Sequence, residues 1–211
     1  MEKIRNREEA GKRLAEELSA YKNRKDVWVL GLPRGGVPVA EQIAWALEAP
    51  LEVFIVRKLG VPGHQELAMG AIASGGVRVM NMDIVRSLGI SEEQIVKVAD
   101  AEQRELQRRE KQYRGDRPAL SLSGKIVILV DDGVATGATM RVAIKALREL
   151  GLQKLVVAVP VAPPDTCEVL SREVDELVCP LRPSPFHAIS LWYEDFPQVG
   201  DETVTRILKK F

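Results

Sequence analysis

The stretch Lys125-Ile126-Val127-Ile128-Leu129-Val130-Asp131-Asp132-Gly133-Val134-Ala135-Thr136-Gly137-Ala138-Thr139-Met140 decides the fold. Its apolar, β-branched run is too short for a helix and stops at two adjacent carboxylates. Small residues and threonines then lead into a helical pattern through Ala143, Ile144 and Leu147. The reading is strand, loop, helix. In an open parallel sheet, a loop leaving the carboxyl end of a strand lies where ligands bind. The next helix starts there with free backbone N–H groups, so an anion is the natural guest. Gly133 and Gly137 permit close backbone approach, Ala135 and Ala138 keep the cradle open, and the Thr136 and Thr139 hydroxyls add hydrogen bonds. Asp131 and Asp132 would repel a phosphate unless they do another job. Holding sugar hydroxyls is such a job, with a divalent cation offsetting the excess negative charge. The competing structural reading is that these aspartates merely cap the helix.

The pattern recurs on either side. Asn6 and Glu9 read as a capping box opening a helix through Ala10, Leu14, Leu18 and Tyr21. Val27–Leu30 is a short strand ending at Gly31-Leu32-Pro33-Arg34-Gly35-Gly36, and Pro38 suits the first turn of the helix that follows. Gly35 and Gly36 offer two N–H groups and Arg34 a charge-assisted fork for a second anion; a simple turn is the alternative. Leu51–Val56 reads as one strand running into Arg57 and Lys58, cations aimed at the same site unless they are solvated. Glu66–Ala73 and Val77–Met80 flank Ser74-Gly75-Gly76 as a hairpin. Ser91 and Gln94 open a long helix to about Tyr113, whose Arg104, Arg108 and Arg109 either pair internally or reach an anion. Leu155–Val161 and Glu176–Cys179 supply further strands, and Asp201 begins a last helix. The alternation predicts an α/β fold: a doubly wound, mostly parallel sheet with helices on both faces.

Val127–Thr139 resembles the PRPP-binding signature of the type I phosphoribosyltransferases, an apolar strand, two acidic residues and a small-residue loop ending in Thr-Gly-x-Thr (PRPP is 5-phosphoribosyl 1-diphosphate). The resemblance implies transfer of the 5-phosphoribosyl group to a nitrogenous base or related small-molecule acceptor, with release of pyrophosphate and use of Mg2+. On it, Asp131 and Asp132 would hold the ribose 2′- and 3′-hydroxyls, and Ala135, Thr136, Gly137, Ala138 and Thr139 would wrap the 5′-phosphate, with Gly133 and Val134 leading into the cradle. Pro33, Arg34, Gly35 and Gly36 would form the pyrophosphate loop, with Arg57 and Lys58 near the leaving group. Residues from about 57–118 and 180–200 would form a small hood over a core of about 22–180, within a single domain spanning 1–211. Trp192 would stack on a base, and Asp195 would join Asp131 and Asp132 at the metal, mainly through substrate oxygens; anchoring of the C-terminal segment is the rival use of the aromatics. His64 falls in the hood with a solvent-facing alternative. Hood residues choose the acceptor in this family, so the acceptor is not named by the sequence. A regulatory protein that senses PRPP or a nucleotide without catalysis is the alternative function. A sugar-phosphate hydrolase lacks a recognisable nucleophile.

The totals agree with a small-molecule role. The 211 residues carry 30 basic and 30 acidic side chains, so bulk charge favours neither nucleic acid nor an anionic membrane. The charged N-terminus lacks a signal-peptide core and no apolar run reaches membrane-spanning length, which predicts a cytoplasmic chain. Cys167 and Cys179 have no metal-ligand spacing and read as reduced structural thiols. A homodimer is the expected assembly.

Overall fold

The computed structural model describes residues 3–118 and 120–211. Five strands form a wholly parallel sheet: β1 (Val27–Gly31), β2 (Leu51–Val53), β6 (Ile126–Val130), β7 (Lys154–Ala158) and β8 (Glu176–Val178), in the order β2-β1-β6-β7-β8. The register pairs Gly31 with Val130 and with Val53, and Val130 with Ala158. The strands therefore finish in line, and their loops emerge along one edge.

Alternate residues of each central strand bury on opposite faces. Val27, Val29, Ile126, Ile128 and Val156 pack beneath α2 (Gly36–Leu47) through Ala40, Ile43 and Leu47. α1 (Arg7–Glu17) and α7 (Asp201–Leu208) join that layer with Leu14, Val204 and Leu208. Leu30, Val127, Leu129 and Val157 face α5 (Ala138–Arg148) and α6 (Pro164–Glu173) through Met140, Ile144, Leu147 and Leu170. Helices thus cover both faces, as the alternation predicted.

A second, antiparallel sheet, β3-β4-β5 (Val56–Val61, His64–Ala73, Val77–Met80), rises beside the first. Its β4–β5 hairpin falls where it was read. The run Leu51–Val56 is not one strand, however. β2 stops at Val53, Phe54 N–H still reaches Gly31 O at 3.1 Å, and Ile55 exchanges hydrogen bonds with Ser74 before β3 begins in the other sheet. Phe54 and Ile55 are buried in different cores, so the hydrophobic pattern continues across the change of sheet and hides it. β7 likewise ends at Ala158, three residues short of the expected Val161, and β8 stops at Val178. A short helix, α3 (Met82–Ser87), capped by Asn81, was not foreseen.

Both expected helix starts are capped, in different ways. Ser91 and Gln94 make a complete capping box on α4 (Glu92–Arg114). Asn6 accepts Glu9 N–H at 3.0 Å, but the Glu9 carboxylate turns back to Arg5 N–H at 2.6 Å rather than to Asn6. The arginine-rich part of α4 follows the solvated reading: Arg108 and Arg109 pair with Glu105 and Arg104 is exposed. Its end does more. Arg114 Nε and Arg117 Nη1 hold the buried Glu52 at 2.9 and 3.2 Å, which ties α4 to strand β2.

Removing one member of a buried ionic cluster leaves charge without compensation. Glu52→Ala is expected to cost about 3–5 kcal/mol, read as a lower urea midpoint with an unchanged slope.

Candidate functional site

The two strand–loop–helix units that flank the β1–β6 pair meet at the carboxyl edge of the sheet. Leu32 N–H donates to Val130 O at 2.9 Å, which draws the Pro33–Gly36 loop across the end of β6. The approach is closer than any side chain permits. A Cβ on Gly35 would lie 2.0 Å from Asp132 Oδ2, and one on Gly36 would lie 2.5 Å from Val130 O and 2.8 Å from Asp131 Cα. These glycines are therefore required by contact with the two aspartates. Of the two N–H groups expected to face an anion, that of Gly36 is already bonded to Leu32 O at 3.0 Å. Gly35, the N-cap of α2, makes no side-chain cap.

The Asp131–Met140 loop forms the other wall. Gly137, at φ +77°, takes a left-handed turn that opens α5; this N-cap has no side chain to offer, and only a long 3.5 Å contact from Ala138 N–H to Thr136 Oγ1 reaches the first turn. Thr166 Oγ1 holds Ala135 O at 2.7 Å and Val134 N–H binds Val161 O at 3.0 Å, so the loop is tied down from α6 and from the segment after β7. Asp131, Gly133–Met140 and Ile189 line a cavity of about 200 Å³ in which Ala135, Thr136, Ala138 and Thr139 are exposed. Two uncapped helix N-termini, of α2 and α5, thus flank the Asp131–Asp132 step, and both carry partial positive charge.

The carboxylates are not equivalent. Asp131 Oδ1 accepts Asp132 N–H at 2.8 Å. Withdrawal from water, and then the Asp132 carboxylate beside it, hold the Asp131 carboxyl well above the ordinary carboxylate range. Asp132 is buried and its Oδ2 receives Arg7 Nε at 2.8 Å, while its backbone carbonyl accepts the Tyr193 hydroxyl at 2.6 Å. Burial, reinforced by Asp132, pushes the Tyr193 phenol up, so it remains a protonated donor. Asp131 Oδ2 and Asp132 Oδ1 accept no N–H among the described residues.

On the Asp132 side, Arg7, Arg34, Gly35, Phe196 and Pro197 border a second cavity of about 400 Å³. The Arg34 guanidinium is exposed, and its ion-pair contact is a long 3.9 Å to Asp201, which Tyr113 also engages.

Other expected residues lie elsewhere. Arg57 is on β3 rather than in a loop, and its Nε donates to Glu102 on α4 at 2.6 Å. Lys58 lines a groove of about 590 Å³ between the β3–β4 turn and α4; neither borders the two cavities beside the aspartates. His64 is exposed at that turn. Trp192 is buried against Phe186 at 6.4 Å between ring centroids, with its Nε1 unpartnered, and does not line either cavity. Its neighbours Ile189 and Phe196 do. Asp195 is exposed and borders neither cavity, and among the described residues no three His, Cys, Asp or Glu side chains gather to hold a metal directly. Arg7 and Tyr193 were missed. Arg7 sits in a charged N-terminal run with no distinguishing pattern, whereas Tyr193 stood in the aromatic cluster that drew notice to Trp192.

Two outcomes follow from this geometry. Gly35→Ala forces Asp132 to move and is expected to lower stability by about 1–3 kcal/mol while weakening anion binding, measured by thermal unfolding and phosphate titration. Asp131→Asn has the opposite effect on stability. Because the folded state holds the Asp131 proton more tightly than the unfolded chain does, this group's contribution to stability falls as pH rises from the ordinary carboxylate range through the raised folded value. Asp131→Asn should therefore melt higher than wild type at neutral pH, with the gap closing below about pH 3, where both states are protonated.

The phosphoribosyl transferase domain family model matches residues 1–188. Two Mycobacterium tuberculosis proteins, provisionally named phosphoribosyl transferases, are each 44% identical over 205 residues, or 97% of this chain and 46% of their own length. The chain therefore spans about half the length of these curated relatives. A crystal structure of TT1426 from Thermus thermophilus superposes with a TM-score of 0.86 at 40% identity, covering 99% of this chain and 98% of that one. With most of its length and its Asp-Asp loop accounted for in this way, the chain belongs to the phosphoribosyl transferase family.

Proposed function

We propose that the protein transfers the 5-phosphoribosyl group of PRPP to a nitrogen of a small-molecule acceptor and releases pyrophosphate. The observation that carries this reading is that consecutive carboxylates each keep an oxygen, Asp131 Oδ2 and Asp132 Oδ1, that accepts no N–H among the described residues, with Asp131 bordering the cradle at the start of α5. Vicinal hydroxyls are the natural donors for two such acceptors, and a phosphate is the natural guest of the Ala135–Thr139 cradle. A ribose 5-phosphate presents both at once.

On this reading the chain's residues divide the task by position. The α5 N-terminus, with the hydroxyls of Thr136 and Thr139, anchors the 5′-phosphate. Asp131 and Asp132 grip the sugar and stabilise positive charge that develops at the anomeric carbon as the bond to pyrophosphate breaks. Arg34 and the Gly35 N–H, in the neighbouring cavity, receive the departing pyrophosphate. Ligand binding also relieves the repulsion between the two carboxylates by giving each a hydroxyl donor. Mg2+ fits as an ion carried with the ligand, since it accepts one or two carboxylates plus phosphate oxygens and needs no cage of protein side chains. Bound there by Asp131 or Asp132, it would supply charge neutralisation for the diphosphate.

The test is calorimetric titration of PRPP with and without Mg2+, followed by a screen of nitrogenous bases for pyrophosphate release. Wild type should bind PRPP in a Mg2+-dependent manner. Asp131→Asn/Asp132→Asn should weaken it by about a hundred-fold or more, as expected for losing two hydrogen bonds to charged acceptors. Failure of the wild type to bind either PRPP or ribose 5-phosphate refutes the proposal; binding with no pyrophosphate released by any base favours ligand sensing.

A further inference from the structure

The carboxylate of Asp132 is aimed by a residue from the far end of the sequence. Arg7 Nε donates to Asp132 Oδ2 at 2.8 Å, Arg7 Nη1 donates to Pro197 O at 2.7 Å, and the guanidinium lies 3.8 Å above the centre of the Phe196 ring. The pair is nearly closed to solvent, with side-chain exposures of 10% and 13%. The backbone that delivers Arg7 is fixed as well. Ile4 N–H binds Trp192 O at 2.9 Å, Glu194 N–H binds Ile4 O at 2.8 Å and Asp195 N–H binds Arg5 O at 2.8 Å, after which Asn6 caps α1.

A counter-charge that only balances Asp132 needs one contact and no particular direction. Arg7 is instead held on three sides, and its planar fork transmits that constraint to Oδ2. Gly35, whose missing Cβ would fall 2.0 Å from the same oxygen and 3.0 Å from Oδ1, packs closely against the carboxyl as well. Oδ1 is the oxygen that accepts no N–H among the described residues, on the residue that follows Asp131.

We propose that Arg7 is a positioning residue for sugar recognition, holding Asp132 so that Oδ1 is presented to a ribose hydroxyl. The proposal rests on the phosphoribosyl reading of the site. Arg7 acts through Asp132, and its removal should blunt discrimination among sugars more than it weakens the hold on phosphate.

The experiment compares ribose 5-phosphate with 2-deoxyribose and 3-deoxyribose 5-phosphates by calorimetry on wild type, Arg7→Lys and Arg7→Gln, with thermal unfolding alongside. Wild type should prefer the full sugar over at least one deoxy ligand by about ten- to hundred-fold, the worth of a hydrogen bond to a charged acceptor. Arg7→Gln should bring that ratio close to unity while the deoxy ligand binds as before. Arg7→Gln leaves Asp132 buried without its cation and is the variant at risk of unfolding. Arg7→Lys keeps the charge but gives up the fork and the bond to Pro197, so it should fold and retain only part of the preference. An unchanged ratio in Arg7→Lys, with all ligands weakened equally or not at all, overturns the proposal and leaves Arg7 as a structural ion pair. Absence of any ribose 5-phosphate binding by wild type is a different failure, of the phosphoribosyl reading itself, and takes this proposal with it.

Discussion

Two loops leaving neighbouring parallel strands compete for the same space at the sheet edge, and the rest of the site depends on how that competition is resolved. The hydrogen bond from Leu32 N–H to Val130 O sets the separation, and only glycine at 35 and 36 can then pass the Asp131–Asp132 step. Because β1 and β6 end in register, both following helices start beside the aspartates. The positive ends of α2 and α5 are thereby brought together beside the aspartates in a chain with no net charge, and the proposed anion binding rests on these local fields.

The site is electrostatically costly in the empty protein. Burial and the neighbouring Asp132 carboxylate disfavour the ionised form of Asp131, and Asp132 is stabilised by an arginine that has itself been taken out of water. Strongly perturbed carboxylates of this kind are common at functional sites. Tyr193 and Arg7 limit how far the aspartates can relax when no ligand is there.

Much of this was legible because it is local. Val127–Thr139 reveals strand, carboxylates and cradle in one continuous stretch, and the burial of Ile126–Val130 on both faces matches its uninterrupted apolar character. What escaped depends on direction or on distance along the chain. Leu51–Val56 looks like one strand since both sheets ask for apolar residues, and nothing in its five apolar residues records a change of partner. Arg57 and Lys58 follow from that error, because residues expected to leave a strand end are instead inside a second ladder. Trp192 was preferred over Phe196 in a segment without periodicity, where sequence offers no rule for which side chain turns inward. Arg7 reaches Asp132 across 125 positions, and no motif spans such an interval.

The passage from β2 into β3 also governs how the upper sheet can move. Ile55 and Ser74 are joined by two hydrogen bonds, one through the Ser74 hydroxyl, and Phe54 is sunk in the core below. The antiparallel sheet is therefore rooted like a lever with a clamped end. Any bending of it toward a ligand has to be taken up further along the ladder, and the register shifts between Leu59 and Val61 supply the weak point. The β3–β4 turn with His64 and Gln65 lies beyond that irregularity, at the end of the ladder away from the clamp.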